Sequence, residues 1–132
     1  MLKKSGKGII RNLFRDVLES SEVELSVIEK YIDPGYIQKV DGVILDYHGF
    51  IEHMKKQKQV IEAMSVTFIS MVEESDTVFT NHIVVAKKKN KEELHVHVIA
   101  QFTLKDGRLI ACDELTRLLT GNEEDRNIGS CH

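Results

Sequence analysis

The chain has 132 residues, 42% hydrophobic and 30% charged, with a formal net charge of −3; this is the make-up of one globular domain, with little room for a second core. The slight negative charge gives no general attraction to nucleic acid or anionic membranes, and no apolar run approaches the roughly 18 residues of a membrane span. The N-terminus lacks the apolar core of a signal peptide, so a cytoplasmic location is expected, and two cysteines, Cys112 and Cys131, are too few for a disulfide framework.

Ile9, Ile10, Leu13, Phe14, Val17 and Leu18 recur at three- and four-residue steps, which predicts a one-faced first helix. A shorter pattern through Leu25, Ile28, Tyr31 and Ile32 predicts a second. It should stop at Asp33-Pro34-Gly35, because proline disfavours helical geometry in the residue before it and glycine accepts positive φ. Asp46 is a cap for a third helix, with Leu45 stapled to Phe50. Its buried stripe is expected to comprise Tyr47, Phe50, Ile51, Met54 and Ile61, with Lys55-Lys56-Gln57-Lys58 mostly on the wet side.

After Met64 the period falls to two, the spacing of strands. Val66, Phe68, Ser70 and Val72 alternate with Thr67, Ile69 and Met71, and Glu73-Glu74-Ser75-Asp76 makes a turn. Strands are predicted over 77–88, 93–104 and 108–118, with a lysine-rich hairpin after the first and Lys105-Asp106-Gly107 as the last turn. Helices first and hairpins afterwards predict an α+β fold, since parallel βαβ units would alternate. Both faces of strand 93–104 carry apolar residues: Leu94, Val96, Val98, Ala100 and Phe102 on one, Ile99 on the other. In so small a chain a second covered face predicts a homodimer.

Two stretches resemble a known family. Tyr31-Ile32-Asp33-Pro34-Gly35-Tyr36-Ile37-Gln38 is similar to the segment leading into the first short strand of nuclear transport factor 2-like proteins. Asp106-Gly107-Arg108-Leu109-Ile110 is similar to their Asp-Gly-Lys/Arg-Ile turn into the last strand. In order and spacing the chain resembles the SnoaL-like, polyketide cyclase-like subgroup. The resemblance implies a single domain over 1–132, with a core at about 8–119 and a polar tail at 120–132 that docks or stays mobile. Its N-terminal helices would pack on a strongly curved antiparallel sheet, forming a cone with a pocket at the open end. Members usually dimerise through the outer face of the sheet. Some are cyclases, isomerases, dehydratases or epoxide hydrolases and others only bind, so the fold leaves the activity open.

In catalytic members the last strand commonly reads Gly-Lys-Ile-x-x-x-Trp-Asp, with the acid facing inward. Here it reads Gly107-Arg108-Leu109-Ile110-Ala111-Cys112-Asp113-Glu114, so the resemblance implies Glu114 as the acid–base residue, with Asp113 in the aromatic's place. Strand alternation puts Cys112, Glu114 and Thr116 on one face. An apolar pocket would raise a carboxyl pKa toward values useful for proton transfer; the structural alternative is a Glu114 that pairs with an arginine. His95 and His97 share a face with Ile99 and Gln101. If that face lines the pocket, His97 and Glu114 form a proton-transfer pair; if it lies on the dimer surface, the histidines are interface groups. Both remain open here.

Gln101 and Asn81 are candidate hydrogen-bonding groups, and His95, Tyr31 and Tyr47 candidate ligand contacts. Asn81 and His82 face opposite ways, so only one reaches the pocket. The His95-Val96-His97 pair has no assured third ligand, so no metal is expected, and no cofactor signature is present. Cyclase relatives often carry a histidine near the segment that here reads Gln38-Lys39-Val40-Asp41, where no histidine stands. The expectation is a small-molecule pocket protein, either a cofactor-independent isomerase, cyclase or hydrolase acting on an apolar oxygenated ligand, or a non-catalytic dimeric ligand- or partner-binding module.

Overall fold

The computed structural model describes residues 5–121; the polar stretch 122–132, with Cys131 and nearly all of the expected tail, lies outside the described residues. Ser5 caps α1 (Gly6–Leu13), its hydroxyl accepting from the Gly8 amide at 3.0 Å. α1 runs on into one π-helical turn, Phe14–Leu18. The predicted stripe from Ile9 to Leu18 is buried along its length. The start of α1 docks on the sheet, where the Glu73 carboxylate accepts from the Gly6 and Lys7 amides at 2.8 and 3.1 Å. A Cβ on Gly6 would stand 2.8 Å from Glu73 Oε2 and 2.9 Å from Val78 Cγ2, so only glycine permits that approach.

α2 (Leu25–Tyr31) passes directly into β1 (Ile32–Val40). Asp33-Pro34-Gly35, expected as a break, lies within β1 where its register against the last strand shifts between Ile32 and Ile37. Proline is tolerated in a strand at such an irregularity, because no regular ladder bond is demanded of it. β2 (Val43–Asp46) returns across Asp41 and Gly42, both with positive φ, at 50° and 87°. Asp46 caps α3 (Tyr47–Val60) by accepting from the Gly49 amide at 2.8 Å. α3 buries Phe50, Ile51, Met54 and Gln57. Ile61, expected on the helical stripe, instead opens β3 (Ile61–Glu74).

β3, β4 (Thr77–Lys88), β5 (Glu93–Lys105) and β6 (Arg108–Thr120) form a meander, and the six strands lie in the order β2-β1-β6-β5-β4-β3. Neighbours are antiparallel except β1 and β6, which run parallel, so the sheet is mixed. Strict alternation fails twice in β3, first at a register shift between Ile61 and Ala63. A second register shift between Phe68 and Ser70 leaves Phe68 and Met71 packed against the core, with Ile69, Ser70 and Val72 exposed.

The helices cover one face of the sheet, where Val78, Val84, Leu94, Val96, Val98, Ala100 and Phe102 are buried. The apolar face of β5 is therefore the inner one, and His95, His97, Ile99 and Gln101 stand on the outer face. No helix among the described residues is long and apolar enough to cross a membrane.

Candidate functional site

β6 lies between β1 and β5, and its inward residues meet inward residues of both neighbours. One row runs Thr80, Ala100, Glu114, Val40; the next runs His82, Val98, Thr116; the third runs Val78, Phe102, Cys112, Gln38. Six inward positions in an otherwise apolar layer are therefore polar or thiol-bearing: Gln38, Thr80, His82, Cys112, Glu114 and Thr116. With strands about 4.8 Å apart, Thr80 and Glu114 are roughly 10 Å apart across the methyl group of Ala100.

Glu114 is 1% exposed, and the Cys112 thiol donates to its Oε1 at 3.1 Å. Its backbone is pinned at the β1–β2 turn: the Asp41 amide donates to the Glu114 carbonyl at 2.9 Å, and the Asp41 carboxylate accepts from the Thr116 amide at 2.9 Å and from the Thr116 hydroxyl. On β1 the Tyr36 hydroxyl donates to Gln38 Oε1 at 2.9 Å. Gln38 is fully buried, yet its Nε2 has no hydrogen-bond partner among the described residues.

His82 stands on the far side of Ala100. Its Nδ1 is 2.8 Å from Thr80 Oγ1, and its ring lies near edge-on to Phe14 and tilted against Phe68, at centroid distances of 5.1 and 5.5 Å. Burial, reinforced by His97 on the opposite face, pushes its pKa down to about 4, so the imidazole is neutral at pH 7. Its Nε2 likewise has no partner among the described residues. Unbonded polar atoms in a core cost about 1–3 kcal/mol each. Two such atoms, Gln38 Nε2 and His82 Nε2, lie on the face that holds the buried Glu114 side chain.

Glu114 stands on the inner face with Cys112 and Thr116, as period-two alternation requires. Of the two alternatives left open for His97, the structure has the one in which it stands apart from Glu114. His97 is half-buried on the outer face, 2.5 Å from Asn81 Oδ1, and the sheet separates it from Glu114. The physical reason is parity: inward positions on β5 are even-numbered, and the apolar side outcompetes the histidine side for burial. Asn81, His95 and Gln101 stand on the same outer face, with His95 3.2 Å from Glu93. Among the described residues no three His, Cys, Asp or Glu side chains gather to hold a metal ion.

Tyr31 is buried, and its hydroxyl donates to Asp16 on the π-helical turn, beside a 370 Å³ surface groove edged by Arg15 and Lys30. Hydrogen bonds from Arg15 and Tyr31 hold the Asp16 carboxyl down at about 2. Tyr47 is half-buried at the start of α3, beside His48. Sequence reasoning missed Gln38, Thr80 and His82 as members of one inner set. The parity of Val78, Val84 and Ala86 already pointed Thr80 and His82 inward, and Asp41-Gly42 was an available hairpin signal for β1.

No protein-family model matches the chain. It is 30% identical over 129 residues to the uncharacterized protein C11D3.04c of Schizosaccharomyces pombe, covering 98% of both chains. Among solved structures it is similar to IdmH of Streptomyces antibioticus, a proposed polyketide cyclase, with a TM-score of 0.73 at 14% identity, over 86% of this chain and 92% of that one. A proposed SnoaL-like polyketide cyclase from Jannaschia sp. CCS1 superposes with a TM-score of 0.70 at 15% identity, over 88% and 91%. An LEH-like epoxide hydrolase of Mycobacterium tuberculosis does so with 0.71 at 8% identity, over 85% and 82%. At these identities the likeness shows the fold: helices on a cone-forming mixed sheet.

Proposed function

The chain belongs to one family with the fission-yeast protein C11D3.04c and carries the SnoaL-like, nuclear transport factor 2-like fold, and from that premise we propose that it is a small-molecule pocket protein whose ligand lies against the concave face at Glu114. The observation that carries this reading is the buried Glu114 carboxylate on a face that also holds two polar atoms, Gln38 Nε2 and His82 Nε2, with no partner among the described residues. The ligand is apolar and oxygenated, because the inner face is mostly apolar, with Val78, Val84, Val96, Val98 and Phe102 on it, and its polar groups are few.

In the catalytic form of the proposal Glu114 moves a proton on that ligand without a cofactor. The group able to answer it from the same face is His82, whose neutral imidazole accepts or donates a hydrogen bond at neutral pH. Isomerisation, cyclisation and hydrolysis all use such a step, and the names of the structural neighbours span the same chemistry. A reducing cytoplasm suits a buried cysteine kept as a thiol. The test is Glu114→Gln, which keeps shape and hydrogen bonding while removing the base. Turnover of a substrate found by screening should vanish with the melting temperature nearly unchanged, and an unaltered rate sinks the catalytic reading.

A second reading has its own observation. Val72, Phe79, Ile99 and Leu115 are apolar and 46–67% exposed on the outer sheet face, a patch suited to a second copy of the chain. A dimer that only binds its ligand would keep the Glu114 pocket and show no turnover with any pocket occupant.

A further inference from the structure

We infer that Gln38, held by Tyr36, is the hydrogen-bond donor that makes the concave site select ligands bearing a carbonyl-type oxygen; this rests on the reading of that face as a ligand site. Gln38 is a primary amide with no exposed surface. Its oxygen is taken by the Tyr36 hydroxyl at 2.9 Å, and Tyr36 is itself 1% exposed and locked near edge-on against Phe50 at 5.4 Å. With Oε1 engaged, the amide plane is fixed and the N–H groups are turned away from the phenol. Nε2 then offers donors with nothing to receive them among the described residues.

Register sets what stands beside that donor. Gln38 is opposite Cys112 and Val40 is opposite Glu114, so Gln38 and Glu114 are diagonal neighbours on adjacent strands. Diagonal neighbours lie about 7–8 Å apart at Cα, so binding requires the two side-chain ends to part far enough to admit a carbon–oxygen unit. A ligand oxygen accepting from Gln38 Nε2 would bring the adjoining carbon or hydroxyl to Glu114. A donor-only group discriminates sharply, because a ligand lacking the acceptor leaves the amide unpaired. Gln38 is thus a specificity residue, and Tyr36 a positioning residue that acts through it.

The test uses 1-indanone and indane, which differ by one carbonyl, in calorimetric titrations of the full chain. The native protein should bind the ketone about tenfold more tightly than the hydrocarbon, the size of one buried hydrogen bond. Gln38→Leu should bring that ratio close to one while indane affinity holds. Tyr36→Phe should lower the ratio about threefold with indane again unaffected, a split that a purely structural role would not produce. A ratio that survives Gln38→Leu, or equal affinities in the native protein, overturns the inference and leaves the pocket standing. Binding of neither compound removes the pocket and this inference together. Should Gln38→Leu fail to fold, the native ratio and Tyr36→Phe decide the matter.

Discussion

The Cys112 thiol donates to Glu114 Oε1 across 3.1 Å, two residues along one strand and both facing the concave side. A buried carboxylate needs donors, and the thiol is one that the same strand delivers by its own alternation. Cys112→Ala should therefore cost about 1–3 kcal/mol in urea denaturation, by taking a donor from a buried acceptor and opening a small void. Cys112→Ser keeps a donor and should cost less. Equal losses would mean the thiol serves only as volume.

His82 makes stability depend on pH in a definite direction. Its pKa is about 4 in the fold against 6.5 for an unperturbed histidine. Between those values the unfolded chain binds a proton that the folded chain refuses, so the contribution is complete above pH 6.5 and is lost as pH falls through about 4. The loss is roughly 3 kcal/mol, with no further change once both states are protonated. Thermal melts at pH 7 and pH 4.5 should show His82→Leu losing less stability than the native chain over that interval. Parallel losses would remove His82 as the cause.

Leu115 is 67% exposed and stands opposite Ile99 on the outer face. If that face joins two copies, Leu115→Glu places a charge at the centre of the contact and should convert dimer to monomer in sedimentation measurements. Binding at Gln38 and Glu114 should persist, since the sheet lies between. A native protein that already sediments as a monomer disposes of the dimer.

Several parts of this architecture were readable without coordinates. The stripe from Ile9 to Leu18, the Asp46 cap and the Asp106-Gly107 turn follow from spacing and turn chemistry, which act over a few residues; of the expected Glu73–Asp76 turn only Ser75 and Asp76 turn, since Glu73 and Glu74 end β3. That Cys112, Glu114 and Thr116 share a face follows from period two once the Asp106-Gly107 turn places the strand, and the family resemblance implied that the face is inward. Three features were not readable in that way. The Ile69 bulge depends on how a long strand bends over its helix, and β1 runs through Asp33-Pro34-Gly35 because β6, some seventy residues later, pairs with it. Which side of β5 is buried depends on which side the helices cover.

The chain's own pattern thus set Cys112, Glu114 and Thr116 on one face of the last strand, and the family resemblance implied that this face is the inner one. Only the tertiary structure decided the company of Glu114. Packing of α1 and α3 chose the apolar face of β5 as interior, which sent His97 and Gln101 outward and left His82 and Gln38 on the same inner face as Glu114. Side-chain parity is local and survives in sequence, whereas the choice of face is made by burial of area contributed by distant segments.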